Sequence, residues 1–211
     1  MTWIDISQPF TNDIGHWPGD TPFNYETTFT KEQTGSVNIG KITTSLHTGT
    51  HVDAPFHFNN DGKTIEQLPL DAFIGTAYVL DVSHVNEVRP EHLMNLNFEH
   101  FDQLLLKTAL PNKPERFPEE IPELHPSLAP FLQEQGIKLL GVDLPSVDQT
   151  TSKELFTHHA LHKHHIHILE NVMLDHVEEG LYQLIALPLH LVGADGSPVR
   201  AVIKRIEEGK R

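Results

Sequence analysis

Short runs of β-forming residues recur along this chain, each bounded by Gly, Pro, Asn or Asp, and that spacing limits the fold more than any other feature. "GTAYVLDVS" (Gly75 to Ser83) is nearly all apolar through Leu80, as expected of a strand covered on both faces. "IKLLGVDLPSVD" places a second buried strand over Ile137 to Val142 and then runs into a loop. "IHILEN", "YQLIALPLHLV" and "SPVRAVIKRI" read as further strands. "TWIDISQPF" alternates over Trp3 to Ser7, and "NIGKITTSLHTGT" is Thr- and Ile-rich with apolar residues at every second position. Helices come between these strands. "RPEHLMNL" should start one, with Pro90 in its first turn. "HPSLAPFLQEQG" reads as a helix interrupted near Pro130 and ended by Gly136. "TSKELFTHHALHKHH" is helical, with Ser152 as its cap. "WPGDTPF" (Trp17 to Phe23) is loop chemistry, and Asn112 to Pro126, with four prolines and six charges, is a surface excursion. Strands dominate and helices intervene, so the expected class is α/β: one mixed-sheet domain over 1–211 with flanking helices.

The charge balance removes one class of partner. With 15 basic and 29 acidic residues the net charge is −14, and no basic face is available to displace counterions from nucleic acid. No run of eighteen apolar residues is present to span a membrane, and "MTWIDISQPF" lacks the basic and apolar regions of a signal peptide. No cysteine is present, so neither disulfides nor thiolate metal sites contribute. The expected location is cytoplasmic.

Chemistry concentrates in "LHTGTHVDAPFHF" (Leu46 to Phe58). His47, His51, Asp53 and His57 fall within eleven residues, punctuated by Gly49 and Pro55. Nitrogen and carboxylate donors suit Zn²⁺ or Mn²⁺. The four share one parity, so an extended chain would point them to one side. Gly49 and Pro55 instead favour a strand ending near His47 and a tight turn that curls back. In a chain with 16 His, two of them four apart often mean only satisfied loop histidines; Asp53, His57 and the turn residues tilt the reading to a metal-dependent enzyme.

"HTGTHVDAPFH" also resembles the HxGTHxDxPxH signature of the cyclase-type metal-dependent hydrolases. "WPGDTPF", "GVDLPSVD" (Gly141 to Asp148), "HHALHKHHIHILENV" (His158 to Val172) and "LIALPLHLVGADGSPVRAV" (Leu184 to Val202) resemble further blocks of that family in the same order, closest to its formamidase branch. The likeness is weakest over Asn86 to Leu132. It implies a swivelling β/β/α-type fold and a binuclear site holding two divalent ions, most often Zn²⁺ with Mn²⁺ accepted. His47, His51 and Asp53 match the first ligands, Glu170 the late carboxylate and His158 the last ligand, with Asp53 and Glu170 bridging. His57 matches the residue that moves protons, and Trp17 matches an aromatic residue that contacts substrate.

The implied reaction is N-formyl-L-kynurenine plus water to L-kynurenine and formate, a step of tryptophan degradation by an arylformamidase acting on a small aromatic formamide. A homodimer or higher homo-oligomer is implied as well. The nearest alternative is opening of a cyclic amide such as isatin at the same ligands. A non-catalytic metal-storage or structural-metal protein is the reading from another class.

Several residues stay open. "HHALHKHHIH" offers six His, and spacing to Glu170 favours His158 over His159. His162, His164, His165 and His167 read as surface or core residues. Glu170 sits in the apolar run "IHILENVML", where a carboxylate needs a cation. Asp143 and Asp148, with Ser146 between them, read as a turn that shapes a pocket wall. Trp17 by itself could simply pack.

Overall fold

The computed structural model describes residues 2–207; Met1 and 208–211 of the expected 1–211 domain lie outside the described residues. The strands are β1 (Ile4–Asp5), β2 (Asn24–Phe29), β3 (Ile39–Thr43), β4 (His51–Asp53), β5 (Ile74–Asp81), β6 (Glu87–Val88), β7 (Gln103–Lys107), β8 (Glu123–Leu124), β9 (Leu139–Val142), β10 (His167–Glu170), β11 (Gly180–Ile185), β12 (Gly196–Pro198) and β13 (Val202–Arg205). The helices are α1 (Lys31–Thr34), α2 (Leu128–Glu134) and α3 (Phe156–Lys163). Nine strands form one mixed sheet in the order β1-β13-β11-β5-β7-β9-β10-β4-β12. β5, β7, β9 and β10 run parallel at its centre, and β4 pairs antiparallel with both β10 and β12. Two small sheets, β2-β3 and β6-β8, stand apart. The class is therefore mixed α/β, with fewer and shorter helices than expected.

Central strands are mainly apolar, with most polar residues at their ends, because the sheet is covered on both faces. Successive residues feed two separate cores. Leu105, Leu139 and Leu169 join Val52, Phe73 and Tyr182 on one side. Leu104, Leu106, Leu140 and Ile168 join Leu128, Leu132 and Leu161 of α2 and α3 on the other. The period of two thus places Glu170 on the helical side, next to Ile168, and its cross-strand neighbour His51 with it.

Several expected elements came out differently. "RPEHLMNL" makes only a 3₁₀ turn, Pro90–His92, followed by a second turn closed by Leu96 N–H on the Leu93 carbonyl, and no α-helix. Pro130 does not interrupt α2: it sits in the first turn, where its missing N–H would have had no partner. Gly136, at φ +80°, follows the helix as expected. Ser152 does not cap α3, whose preceding residue is Leu155 at φ +48°; the free amides of Thr157 and His158 are taken by the Asp148 carboxylate at 3.0 and 2.9 Å. β3 stops at Thr43, earlier than expected, and His47 lies in a turn. "LPLHLV" (Leu187 to Val192) is loop beyond β11. β2 and β7 are strands without counterpart in the sequence reading.

Candidate metal centre

His51 and Asp53 are alternate residues of β4 and project from the same face, where Glu170 of β10 stands directly opposite His51. α3 lies over that face and turns Thr157, His158 and Leu161 inward. His158 is 3 % exposed, and its neighbour His159 is exposed, so the helical period selects the first of the two. His47 arrives from the turn that Gly49 allows. Gly49 has φ +64°, and a Cβ there would press on Ile14 and Phe10 at 3.1 Å. Its carbonyl accepts from Nδ1 of His51 at 2.8 Å, which leaves Nε2 of that ring facing the carboxylates.

Two carboxylates form the middle of this site. Asp53 Oδ1 lies 3.0 Å from His47 Nδ1 and 3.4 Å from His51 Nε2, and Asp53 Oδ2 lies 3.4 Å from His158 Nε2. Glu170 Oε2 lies 3.3 Å from His51 Nε2, and Glu170 Oε1 lies 3.8 Å from His158 Nε2. Each carboxylate therefore offers one oxygen to His51 and the other to His158. Among the described residues, potential donors gather as His47, His51 and Asp53; as Asp53, His158 and Glu170; and as His47, His57 and Asp195. His162, His164, His165 and His167 join none of these groups.

The donor set fits divalent cations on an observation independent of spacing. His51 Nε2 and Asp53 Oδ2 are fully buried and have no hydrogen-bond partner. Two such atoms, aimed at the same space, are costly unless a cation meets them. Electrostatics agree. Burial would lower the pKa of each ring, yet Asp195 and Asp53 hold His47 up at about 9. Asp53 and Glu170 hold His51, and Asp148 and Asp53 hold His158, at about 10. These carboxylates demand positive charge, which protons supply when no metal does. Burial opposes ionisation of Asp53 as well, and the nearby His158, His47 and His51 rings outweigh that and lower its pKa.

His57 stands at the edge. It ends a 3₁₀ turn opened by Pro55, and its ring stacks on His47 with centroids 3.8 Å apart. Burial, then the charge on His47, lower its pKa, so it is neutral and able to accept a proton near pH 7. His57, His47, His158, Glu170, Ser146 and Trp17 share the lining of a cavity of about 480 Å³. Trp17 meets Phe117 edge-on at 5.2 Å, and both line a second, narrower crevice that also reaches His47.

Two residues gained roles that local sequence could not assign. Asp148 accepts from His158 Nδ1 at 2.6 Å while capping α3, so it orients that ring and is more than pocket wall. Asp195 bonds His47 Nε2 at 3.0 Å across 148 residues of chain. Only a lone acid in "VGADGS" marks it, and nothing local separates such an acid from a solvated one. Asp143 joins none of the donor groups: it accepts from the Thr108 amide and hydroxyl at 2.9 and 2.7 Å, and burial pushes its pKa up to about 7.

Two buried carboxylates shared between opposed histidines, opening on a solvent-reaching cavity, make the centre of a metal-dependent hydrolase. Comparison with known proteins gives the same class. The family model described as Cyclase matches residues 4–149. The chain is 57 % identical over 204 residues to "Kynurenine formamidase" of Bacillus cereus, covering 97 % of this chain and 98 % of that protein. Its structure is similar to that of a predicted metal-dependent hydrolase from Bacillus stearothermophilus, with TM-score 0.81, 27 % identity, and 96 % and 97 % of the two chains covered. It shares its fold with isatin hydrolase A from Labrenzia aggregata, at TM-score 0.79 and 22 % identity over 96 % and 93 % of the chains. The chain belongs to the cyclase family of metal-dependent hydrolases and, within it, to the kynurenine formamidases.

Proposed function

We propose that this chain hydrolyses N-formyl-L-kynurenine to L-kynurenine and formate. The observation that carries the chemistry is the buried pair Asp53 and Glu170, each facing His51 on one side and His158 on the other, with Glu170 and His158 lining an open cavity. The close relatedness to formamidases carries the substrate. His47, His51, Asp53, His158 and Glu170 would hold two divalent ions, Zn²⁺ in first place and Mn²⁺ as an accepted substitute. When bound, such ions supply Lewis-acid polarisation of the formyl oxygen and acidify water.

The chain's own groups do the rest. His57 is neutral near pH 7, lines the cavity beside the donors, and takes a proton from the attacking water. It returns that proton to the anilide nitrogen as the C–N bond breaks, so the amine leaves neutral. Trp17, at the cavity rim, offers its ring to the substrate's aromatic ring. The buried wall of Pro145, Ser146 and Glu170 limits space near the donors, which favours a formyl group over larger acyl groups.

The working unit is a homodimer or a higher homo-oligomer of the same kind. The support is the β2-β3 hairpin, whose Tyr25, Phe29, Ile39 and Ile42 are all exposed, although apolar surface of this sort is normally covered. The decisive experiment supplies zinc-loaded protein with N-formyl-L-kynurenine and with isatin in parallel. Release of L-kynurenine with little isatin opening is expected; the reverse preference would overturn the assignment. Elemental analysis should find two metal equivalents per chain.

A further inference from the structure

We propose that Asp195 is the positioning residue of this centre, its carboxylate fixing the His47 and His57 rings together so that Nε2 of His57 is the nitrogen that carries the proton. One oxygen, Oδ2, lies 3.0 Å from His47 Nε2 and 3.4 Å from His57 Nδ1. The two rings are stacked at an interplanar angle of 29°, so one oxygen lies beside an edge of each.

The backbone holds that acceptor in place. Asp195 C=O accepts from Ala54 N–H at 2.9 Å, and Gly196 pairs with Asp53 where β12 joins β4. The carboxylate is thereby tied to the strand that carries two of the metal donors. Gly196 completes the fit: a Cβ there would sit 2.9 Å from His47 Cε1 and 3.0 Å from the Val52 carbonyl. Only a bare backbone lets the His47 ring lie against β12 with its Nε2 toward Asp195.

Neutral imidazole has one donor and one acceptor nitrogen, so a bond at one nitrogen assigns the other. Without metal, His47 donates from Nε2 to Asp195 and from Nδ1 to Asp53, each at 3.0 Å; a neutral ring that keeps Nε2–H on Asp195 turns its Nδ1 lone pair to the space beside Asp53. The same oxygen lies 3.4 Å from His57 Nδ1, a contact that favours the proton on that nitrogen and leaves the Nε2 lone pair to take another. Histidines that bind metals commonly donate their second N–H to a carboxylate, which fixes the ring and raises its basicity. The part played by His57 here rests on the proposed reaction; the orientation of the two rings does not.

The test uses zinc-loaded protein carrying Asp195→Asn, which keeps the shape, and Asp195→Ala, which removes the acceptor. Circular dichroism on both establishes that they fold. Removal of partners of this kind costs about 10- to 100-fold in metal affinity or activity, so zinc affinity by chelator competition and kcat should each fall in that range, with KM nearly unchanged. ¹⁵N spectra of the histidines should show His57 as the Nδ1–H tautomer in the parent and as a mixture in Asp195→Ala. Unchanged zinc affinity together with an unchanged tautomer overturns the proposal. Loss of one full metal equivalent overturns it too, since His47, His57 and Asp195 would then be direct ligands of a cation. If the parent fails to cleave N-formyl-L-kynurenine while affinity and tautomer respond to Asp195→Ala, the proposed reaction falls and the positioning role stands.

Discussion

The metal-donor site and the β2-β3 hairpin are built from the same kind of strand and meet opposite fates. β4 sits between β10 and β12 and is covered by α3, so His51 is 1 % exposed. β2 and β3 pair only with each other, and Ile42 is 64 % exposed. The site draws its residues from β4, α3 and β10, far apart in sequence. The hairpin is held by local bonds: Thr30 with Gln33, Lys31 N–H to Asn38, Thr34 with Val37. Asn12 ties its base to the body through both the N–H and the C=O of Tyr25. A two-stranded hairpin is marginal alone in water. One region is thus covered within a single chain, and the other leaves its apolar residues exposed. The hairpin also separates Trp17 from His47 in the sequence, so whatever covers it bears on both loops of the cavity.

The largest effects belong to the site and should leave the hairpin untouched. His158→Ala should lose one metal equivalent and reduce activity on the order of 10³-fold, since several kcal/mol of charge stabilisation go with the ion. His57→Ala should keep both metals and the fold while kcat falls by roughly 10²–10⁴-fold. Metal content must be measured on the same samples as the kinetics. A lost equivalent in His57→Ala would make that residue a ligand, and the proton carrier would have to be sought elsewhere.

Next in size is a pH response confined to the site, because the hairpin contains no histidine. In metal-free protein the pKa values of His47, His51 and His158 are raised to about 9 and 10. Zinc must displace those protons, so its apparent affinity should rise with pH, by about tenfold per pH unit for each proton released. Stability moves the other way in the apo-protein. Groups whose folded pKa is raised stabilise fully below the unfolded value near 6.5, and that contribution is lost as pH climbs through 9 to 10. Melting of chelated protein should therefore fall between about pH 7 and 10, whereas zinc-loaded protein should change less. Parallel melting curves for the two forms would remove the link between these protons and the metal site.

How much of this could be read from the sequence depended on chain distance. His47, His51, Asp53 and His57 were legible because they lie within eleven residues of one another, and Gly49 and Pro55 announce the turns on either side of β4. Central strands such as Leu139–Val142 were legible because burial on both faces makes them continuously apolar. "QLLLK" has the same character but lies between polar loops where family likeness is weakest, so its surroundings do not set it apart. The cap of α3 was misplaced because Ser152 is the nearer residue, while Asp148 reaches the helix only after the β9 loop folds back. Asp195 was not legible at all. Its place beside His47 is created by the pairing of β12 with β4, and strand order leaves no mark on local composition.

The hairpin's own prediction is smaller. Replacing Ile42 by Lys changes nothing inside the chain, since that side chain is exposed. If a second copy covers the face, the substitution removes about 1.5–3 kcal/mol of apolar burial and weakens association by roughly 10- to 100-fold. Sedimentation of parent and Ile42→Lys across a dilution series reads this directly, with zinc content expected to stay at the parental value. A parent that is monomeric and fully active at every concentration would show that the exposed face needs no cover.

The smallest effect falls inside the histidine-rich segment that joins the helix to β10. His165 is exposed, joins no donor group, and follows α3 at φ +58°. Its backbone, and not its ring, is the notable feature: a non-glycine residue in the left-handed region costs about 1–2 kcal/mol. His165→Ala keeps that cost and removes only a solvated ring, so activity and metal content should stay within about twofold and stability within roughly 0.5 kcal/mol. His165→Gly relieves the backbone and should raise the melting temperature slightly at unchanged activity, less whatever glycine adds to the freedom of the unfolded chain. Loss of metal in either variant would mean that the second histidine cluster reaches the centre after all. The contrast between His158 and its neighbours would then fail at the point where one turn of helix decides which imidazole faces Asp53.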